Sequence, residues 1–301
     1  LQLRDLYKME LRNIKNTLSK VPIWNGDINI EPLEGGITNK NYLIKDKKKK
    51  YVARFGEDII YHHVMRFHEI AASKAANEVG IAPEVIYHEK GLLIIEYIES
   101  DTLTSTEVKK ESTLKKIISL VKIVHKKIPL YFTGPPIMFW VFYILRDYAW
   151  ILKENNSSYI PIIDKLIKDS VILEKATSPH YIVFCHNDLL SSNILNDGNK
   201  LWLIDWEYSG FNSPLFDLGG LASNNEFSND QENFMLEEYF EKKISDQLVY
   251  QYQAMKCASL LRETMWSMVS EIMSSIVFDY KKYTKENLDR YNQEIEKFLH
   301  Y

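Results

Sequence analysis

One stretch, Tyr181 to Asp217, constrains this chain more than any other: YIVFCHNDLLSSNILNDGNKLWLIDWEYSGFNSPLFD. Short apolar runs alternate there with polar loops. Ile182–Cys185 runs into His186-Asn187-Asp188, and Asn193 follows five residues later. Ile194 and Leu195 resume the apolar pattern, Asp197-Gly198-Asn199 signals a turn, and Leu201–Ile204 ends at Asp205. The pattern predicts strand, loop, strand, turn, strand, loop. Two carboxylates and one amide therefore stand where buried strands emerge, a place from which a rigid scaffold aims polar groups at a ligand.

The spacing H-x-D-x-x-x-x-N, followed by a strand and an Asp, is the layout of a kinase catalytic loop and metal site. Phosphoryl transfer needs a carboxylate to orient the attacking hydroxyl and take its proton. It also needs oxygen ligands that hold magnesium against the phosphates. Asp188, Asn193 and Asp205 fit those roles in that order. Singly, each reads equally well as a loop cap or a turn residue; together, with strands between them, they point to chemistry.

The residues that follow sharpen the reading: D-W-E-Y-S-G-F-N-S-P-L-F-D supplies Asp205, Glu207, Asn212 and Asp217. This resembles the signature of the choline/ethanolamine kinase family, a branch of the aminoglycoside-phosphotransferase-like kinases. The resemblance extends from about Gly35 to Tyr283. It implies an α+β, bilobal, protein-kinase-like fold, with a small antiparallel-sheet N-lobe over 1–99 and a mainly helical catalytic and substrate-binding lobe over 100–301. It also implies ATP and Mg2+ as cofactors, with Asn193, Asp205 and Glu207 on the metal.

Bulk properties agree. The 301 residues are 46% hydrophobic, enough for a sizeable core, and a net charge of −4 gives no basic excess for nucleic acid. Cys185 and Cys257 form neither a disulfide framework nor a metal pattern and sit in apolar runs. The longest uncharged apolar stretch, Pro135–Leu145, is too short to span a bilayer, and no signal peptide is visible. The expectation is a soluble cytoplasmic enzyme with a small-molecule substrate, binding neither nucleic acid nor membrane.

Along the chain, Leu1–Leu18 has helical apolar spacing and Ile28–Leu33 alternates as a strand. Gly35 and Gly36, with Thr38 and Asn39, precede a second strand; adjacent glycines let backbone N–H groups approach a phosphate. The segment resembles the family's G-G-x-[ST]-N phosphate cover. Asp46–Lys50 reads as a solvated hairpin tip. Arg54 lies on the third strand, where the resemblance gives it the phosphate-pairing role, with Glu69 on the next helix as its candidate partner and Glu78 as the competitor. Gly80 is placed to end that helix. Leu92–Tyr97 leads to a hinge in which backbone groups from Glu96 to Ile98 would meet adenine. Helices are expected over 107–127, 139–153, 162–176, 232–243, 246–276 and 285–300.

The acceptor is read from L-L-R-E-T-M-W-S-M-V-S-E, Leu260–Glu271, which resembles the family's substrate helix. The family often carries two Trp there, three residues apart. Here Trp266 keeps the second, and Glu263 stands at the first. Tyr283 matches a cage aromatic, and Asn224 and Glu226 match an acidic region only approximately. A quaternary ammonium donates no N–H and is held by aromatic faces and nearby negative charge. The expected activity is phosphorylation of choline to phosphocholine, with Asp188, Glu207, Glu263, Trp266 and Tyr283 around the substrate. Ethanolamine, another substrate of the aminoglycoside-phosphotransferase-like enzymes, or an inactive binding scaffold are the alternatives.

Overall fold

The computed structural model describes residues 12–33, 39–47 and 49–300. The chain forms two compact units, Leu1–Glu57 with Pro83–Ile98, and Asp58–Ala82 with Glu99–Tyr301.

The first unit is a sheet with a helix packed on it. Residues 12–18 are helical (α1), so the described part of the expected leading helix is present; Leu1–Leu11 lie outside the described residues. Strands β1 (Ile28–Leu33), β2 (Lys40–Asp46), β3 (Lys49–Phe55), β4 (Val85–Glu89) and β5 (Leu92–Glu96) form an antiparallel sheet in the order β1-β2-β3-β5-β4. Successive side chains of a strand point to opposite faces. Tyr42 and Ile44 on β2 and Tyr51 and Ala53 on β3 thus turn to one side, where Ile14, Leu18 and Val21 cover them. Lys49 and Lys50, expected in a solvated hairpin tip, open β3 and pair with Asp46 and Lys45.

Helix α2 (Arg66–Glu78) was expected in the N-lobe but clusters with the second unit. Gly80 closes it at φ +78°, and Ile81 N–H reaches back to the Ala76 carbonyl at 3.0 Å. That is the six-residue closing bond a left-handed glycine permits. Just before α2, His62 is tied to the second unit by Tyr148 OH at 3.1 Å and Ser270 Oγ at 2.7 Å.

The remainder of the second unit is β6 (Asp101–Thr102), α3 (Ser105–Val108), α4 (Glu111–Lys127), α5 (Val141–Glu154), α6 (Ile160–Ala176), β7 (Val183–Cys185), β8 (Ile194–Asn196), β9 (Leu201–Leu203), β10 (Gly210–Asn212), α7 (Pro214–Asn224), α8 (Asn229–Phe240), α9 (Asp246–Met273) and α10 (Tyr280–Leu299). The single helix read over 107–127 is two, because Thr104 and Glu107 form a reciprocal capping box that starts a separate turn. The last helix begins earlier than its apolar spacing suggested, at Tyr280, capped by Asp279.

Helix α9 is the spine. Its segment 257–270 is buried almost all round, as a helix enclosed by neighbours must be. It packs on α5, α6, α7 and α10. At Gly219 of α7 an added Cβ would stand 2.8 Å from the Lys256 Cα, so glycine there lets the two backbones approach. Two small sheets, β6-β8-β9 and β10-β7, carry the loops of interest beside this spine. Among the described residues, no helix is long and apolar enough to cross a membrane.

Candidate active site

Strand β7 delivers three buried residues and then the loop His186-Asn187-Asp188. Asn187 adopts φ 64°, a left-handed value that Asn tolerates better than most residues. Asn193, at the end of a short turn over Ser191–Asn193, donates Nδ2 to the Asp188 carbonyl at 3.0 Å and to its Oδ2 at 3.1 Å. Ile204 N–H bonds the Asn193 carbonyl at 3.0 Å, and His186 Nε2 meets the Ile204 carbonyl at 3.0 Å. Those bonds bring Asp205, itself at φ 68°, to the same loop. The three residues picked out by spacing are therefore joined by a single network.

The loop is braced from behind by residues the sequence marked only as signature. Asp217 accepts the backbone N–H of His186 at 2.9 Å and of Asn187 at 2.7 Å, and His125 Nε2 at 3.0 Å. Asn212 donates to Asn187 Oδ1 at 3.0 Å, and Asn187 Nδ2 reaches the Tyr208 carbonyl at 2.9 Å. The buried His125, Cys185 and Asp217 have the composition of a metal site. Their atoms are otherwise committed: Asp217 holds the loop backbone, and burial pushes the Cys185 thiol well up while it points at the Ser213 carbonyl. His125, expected to pack or cap, does so here, with Tyr239 OH 2.8 Å from Nδ1.

Asp188 is half-buried but sunk among neighbours. Burial raises its carboxyl well above the usual range; Arg262 opposes this, and Asp205, Glu263 and Glu207 add to it. Glu207 is itself buried, and Arg66 Nη1 bridges it at 3.1 Å to Glu69 at 2.7 Å. Arg66 is a partner of Glu69 and Glu207 that the sequence reading did not name. Acidic groups so gathered, with an amide oxygen beside them, are the hard-oxygen set that suits magnesium.

A recess opens beside Asp188, lined among others by Phe216, Asn224, Ser259, Arg262 and Glu263. Glu263, expected near the substrate, is one of the lining residues. Trp266 and Tyr283 do not appear among the described residues lining it. Trp266 is 5% exposed, stacks on His62 at 5.1 Å and donates Nε1 to Tyr208 OH at 2.9 Å. Tyr283 is half-buried and donates its hydroxyl to Glu263 Oε1 at 2.7 Å. Arg262, unassigned by the sequence reading, is 4% exposed on the spine helix. A lone basic residue inside an apolar helical run was the available signal.

Of the nucleotide-side residues, Gly35, Gly36 and Thr38 lie outside the described residues. Asn39 precedes β2; Arg54 sits on β3 opposite Asn41 and Leu93; Glu96 ends β5, exposed, with Ile98 two residues on and half-buried.

The profile of the family Choline/ethanolamine kinase matches residues 30–233. The chain belongs to this family. Among curated relatives, it is 26% identical over 264 residues to Protein LicA of Haemophilus influenzae, across 85% of this chain and 76% of that one. To Probable ethanolamine kinase A of Dictyostelium discoideum it is 28% identical over 314 residues, across 91% and 87%. The fold is shared with the solved choline kinase LicA of Streptococcus pneumoniae, at TM-score 0.77 and 23% identity over 96% and 99% of the two chains. It is shared more distantly with a spectinomycin phosphotransferase, at TM-score 0.60 and 13% identity over 92% and 94%. As a member of the choline/ethanolamine kinase family, the chain is a small-molecule kinase acting on an alcohol, with the α+β bilobal kinase-like fold.

Proposed function

We propose that the chain transfers the γ-phosphoryl group of ATP to the hydroxyl of a small ammonium-bearing alcohol. The observation that carries this reading is the pairing of Asp188 with Asn193 at the mouth of a recess that also holds Glu263. In this reading the acceptor hydroxyl lies against Asp188, which orients it and takes its proton. Asn193, Asp205 and Glu207 would hold magnesium, which when bound would neutralise phosphate charge. Asn193 also keeps the Asp188 carboxylate aimed. Nucleotide roles for Gly35, Gly36, Thr38, Asn39, Arg54, Glu69, Glu96 and Ile98 rest on the family resemblance.

Choline and ethanolamine are the two acceptors to weigh. A trimethylammonium needs aromatic faces, and one face of Trp266 is taken by His62. The recess is instead lined by Asp188, Ser259, Asn224 and Glu263, whose side chains carry oxygen. A primary ammonium can donate three hydrogen bonds to such a wall. That ranks an ethanolamine-like acceptor ahead of choline, the reverse of the order expected from the sequence. Steady-state kinetics with Mg-ATP and each alcohol, read as ADP release, test the reading. The expected result is turnover with both and a higher kcat/KM for ethanolamine. A kcat/KM favouring choline tenfold would reverse the ranking, and no turnover with either would sink the amino-alcohol assignment.

A further inference from the structure

His62 is a buried polar group that the proposed reaction leaves without a task. It ends a short turn over Ile60–His62, just before α2, and is 2% exposed. Nδ1 lies 3.1 Å from Tyr148 OH on α5, and Nε2 lies 2.7 Å from Ser270 Oγ on α9. Burial, with the charges of Arg262 and His63 behind it, holds the imidazole well below its ordinary range, so the ring is neutral. A neutral imidazole donates from one nitrogen and accepts at the other, and hydroxyl partners answer either tautomer. His62 thus joins α5 to α9 without bringing a charge.

The flat face of the ring carries a further contact. Trp266 stacks on it, with centroids 5.1 Å apart and planes 25° from parallel. The indole Nε1 donates to Tyr208 OH at 2.9 Å. The Tyr208 ring lies 4.3 Å from the Arg262 guanidinium, and Arg262 Nη1 donates to Glu263 Oε2 at 3.1 Å. Tyr283 OH holds the other oxygen, Oε1, at 2.7 Å. Arg262 and Glu263 line the recess together with Asp188. The backbone of α9 places the Cα atoms of residues 262, 263 and 266, but a side chain still chooses among staggered rotamers. Here that choice is set by a stack, a hydrogen bond, a cation–π contact and an ion pair in succession.

We propose that His62 is a positioning residue for the alcohol side of the site: its ring fixes Trp266 and, through Tyr208 and Arg262, aims the Glu263 carboxylate offered to the acceptor ammonium. This rests on the amino-alcohol reading above and adds to it a residue that touches no substrate. The imidazole combines two properties that other side chains offer singly. Gln can answer the two hydroxyls but has no ring for Trp266. Phe has the ring but answers neither hydroxyl. The positioning role belongs to the ring, and the two bonds hold the fold.

The test is steady-state kinetics of the full chain with Mg-ATP and ethanolamine, with urea unfolding of every variant. In His62→Gln the alcohol KM should rise about fivefold or more while kcat and the ATP KM stay within about twofold. His62→Leu, which also lacks the ring, serves in its place if His62→Gln does not fold. His62→Phe should unfold at lower urea than wild type, having lost both bonds, yet keep an alcohol KM within about twofold of it. In a Glu263→Gln background, where the last group of the route has lost its charge, adding His62→Gln should change the alcohol KM no further. A folded ringless variant with the wild-type alcohol KM overturns the proposal, as does a KM raised equally for alcohol and ATP, the mark of general loosening. A raised alcohol KM in His62→Phe overturns it too, and so does an undiminished effect of His62→Gln beside Glu263→Gln. Wild type that turns over neither ethanolamine nor choline overturns the reading beneath, and this proposal with it.

Discussion

Asn193 Nδ2 lies 3.1 Å from Asp188 Oδ2 and 3.0 Å from the Asp188 backbone carbonyl. The amide thereby fixes both the main chain and the carboxylate of a residue five positions earlier. Two residues read separately from spacing belong to a single hydrogen-bonded unit.

For Asp188→Asn, kcat should fall by about 10²–10⁴ with the alcohol KM little changed, since the amide cannot take the proton. Stability at pH 7 should hold or rise. Burial and neighbouring carboxylates push the Asp188 pKa up, so the folded state bears a cost for the charged form. Coupled kinetics and urea unfolding of the same preparation check both halves; a variant that alters KM alone would make Asp188 a binding residue.

Asp217→Asn should lower kcat without touching substrate. The carboxylate accepts two loop N–H groups and His125, and an amide would put a donor among three donors. Each charge-assisted bond lost costs roughly 1.5–3 kcal/mol, and a small displacement of Asp188 costs about 10²-fold in rate. Normal kcat together with a normal denaturation midpoint would show that the loop does not depend on this brace.

Trp266→Ala tests whether that ring is wall or core. Buried against His62 and bonded to Tyr208, it should cost about 3–5 kcal/mol of stability, as large aromatic truncations do. Chemical denaturation measures this. A variant of wild-type stability whose alcohol KM has risen would return Trp266 to the substrate.

Acid sensitivity should trace in part to His68. It packs between Phe132 and Phe184, and burial lowers it from 6.5 to about 4. Between those values the unfolded chain binds the proton and the folded chain does not. The associated stability is present above about pH 6.5 and is lost as pH falls towards 4, at a slope of up to roughly 1 kcal/mol per pH unit. His62, also lowered by burial, adds in the same direction. His68→Phe should flatten the fall in unfolding free energy measured from pH 7 to 5; an unchanged slope would place the acid sensitivity elsewhere.

The clustering of the proposed catalytic loop was legible in the sequence because it is local. Asp188, Asn193 and Asp205 sit on consecutive strand ends, so their spacing along the chain is nearly their arrangement in space. Alternation in β2 and β3 and the glycine after α2 are likewise local, set by the two-residue pleat and by a left-handed backbone at Gly80. What only the tertiary structure decided is what each remaining polar group meets. Glu69 and Glu207, 138 positions apart, are tied together by Arg66, a pairing that no local spacing shows. Trp266 read as a cage wall, but helical periodicity gives a face and not a neighbour, and His62 covers that face. Arg262 passed unnoticed for the same reason. An arginine in a largely apolar run can reach solvent or be enclosed, and enclosure under the Tyr208 and Phe139 rings depends on residues 54 and 123 positions earlier in the chain.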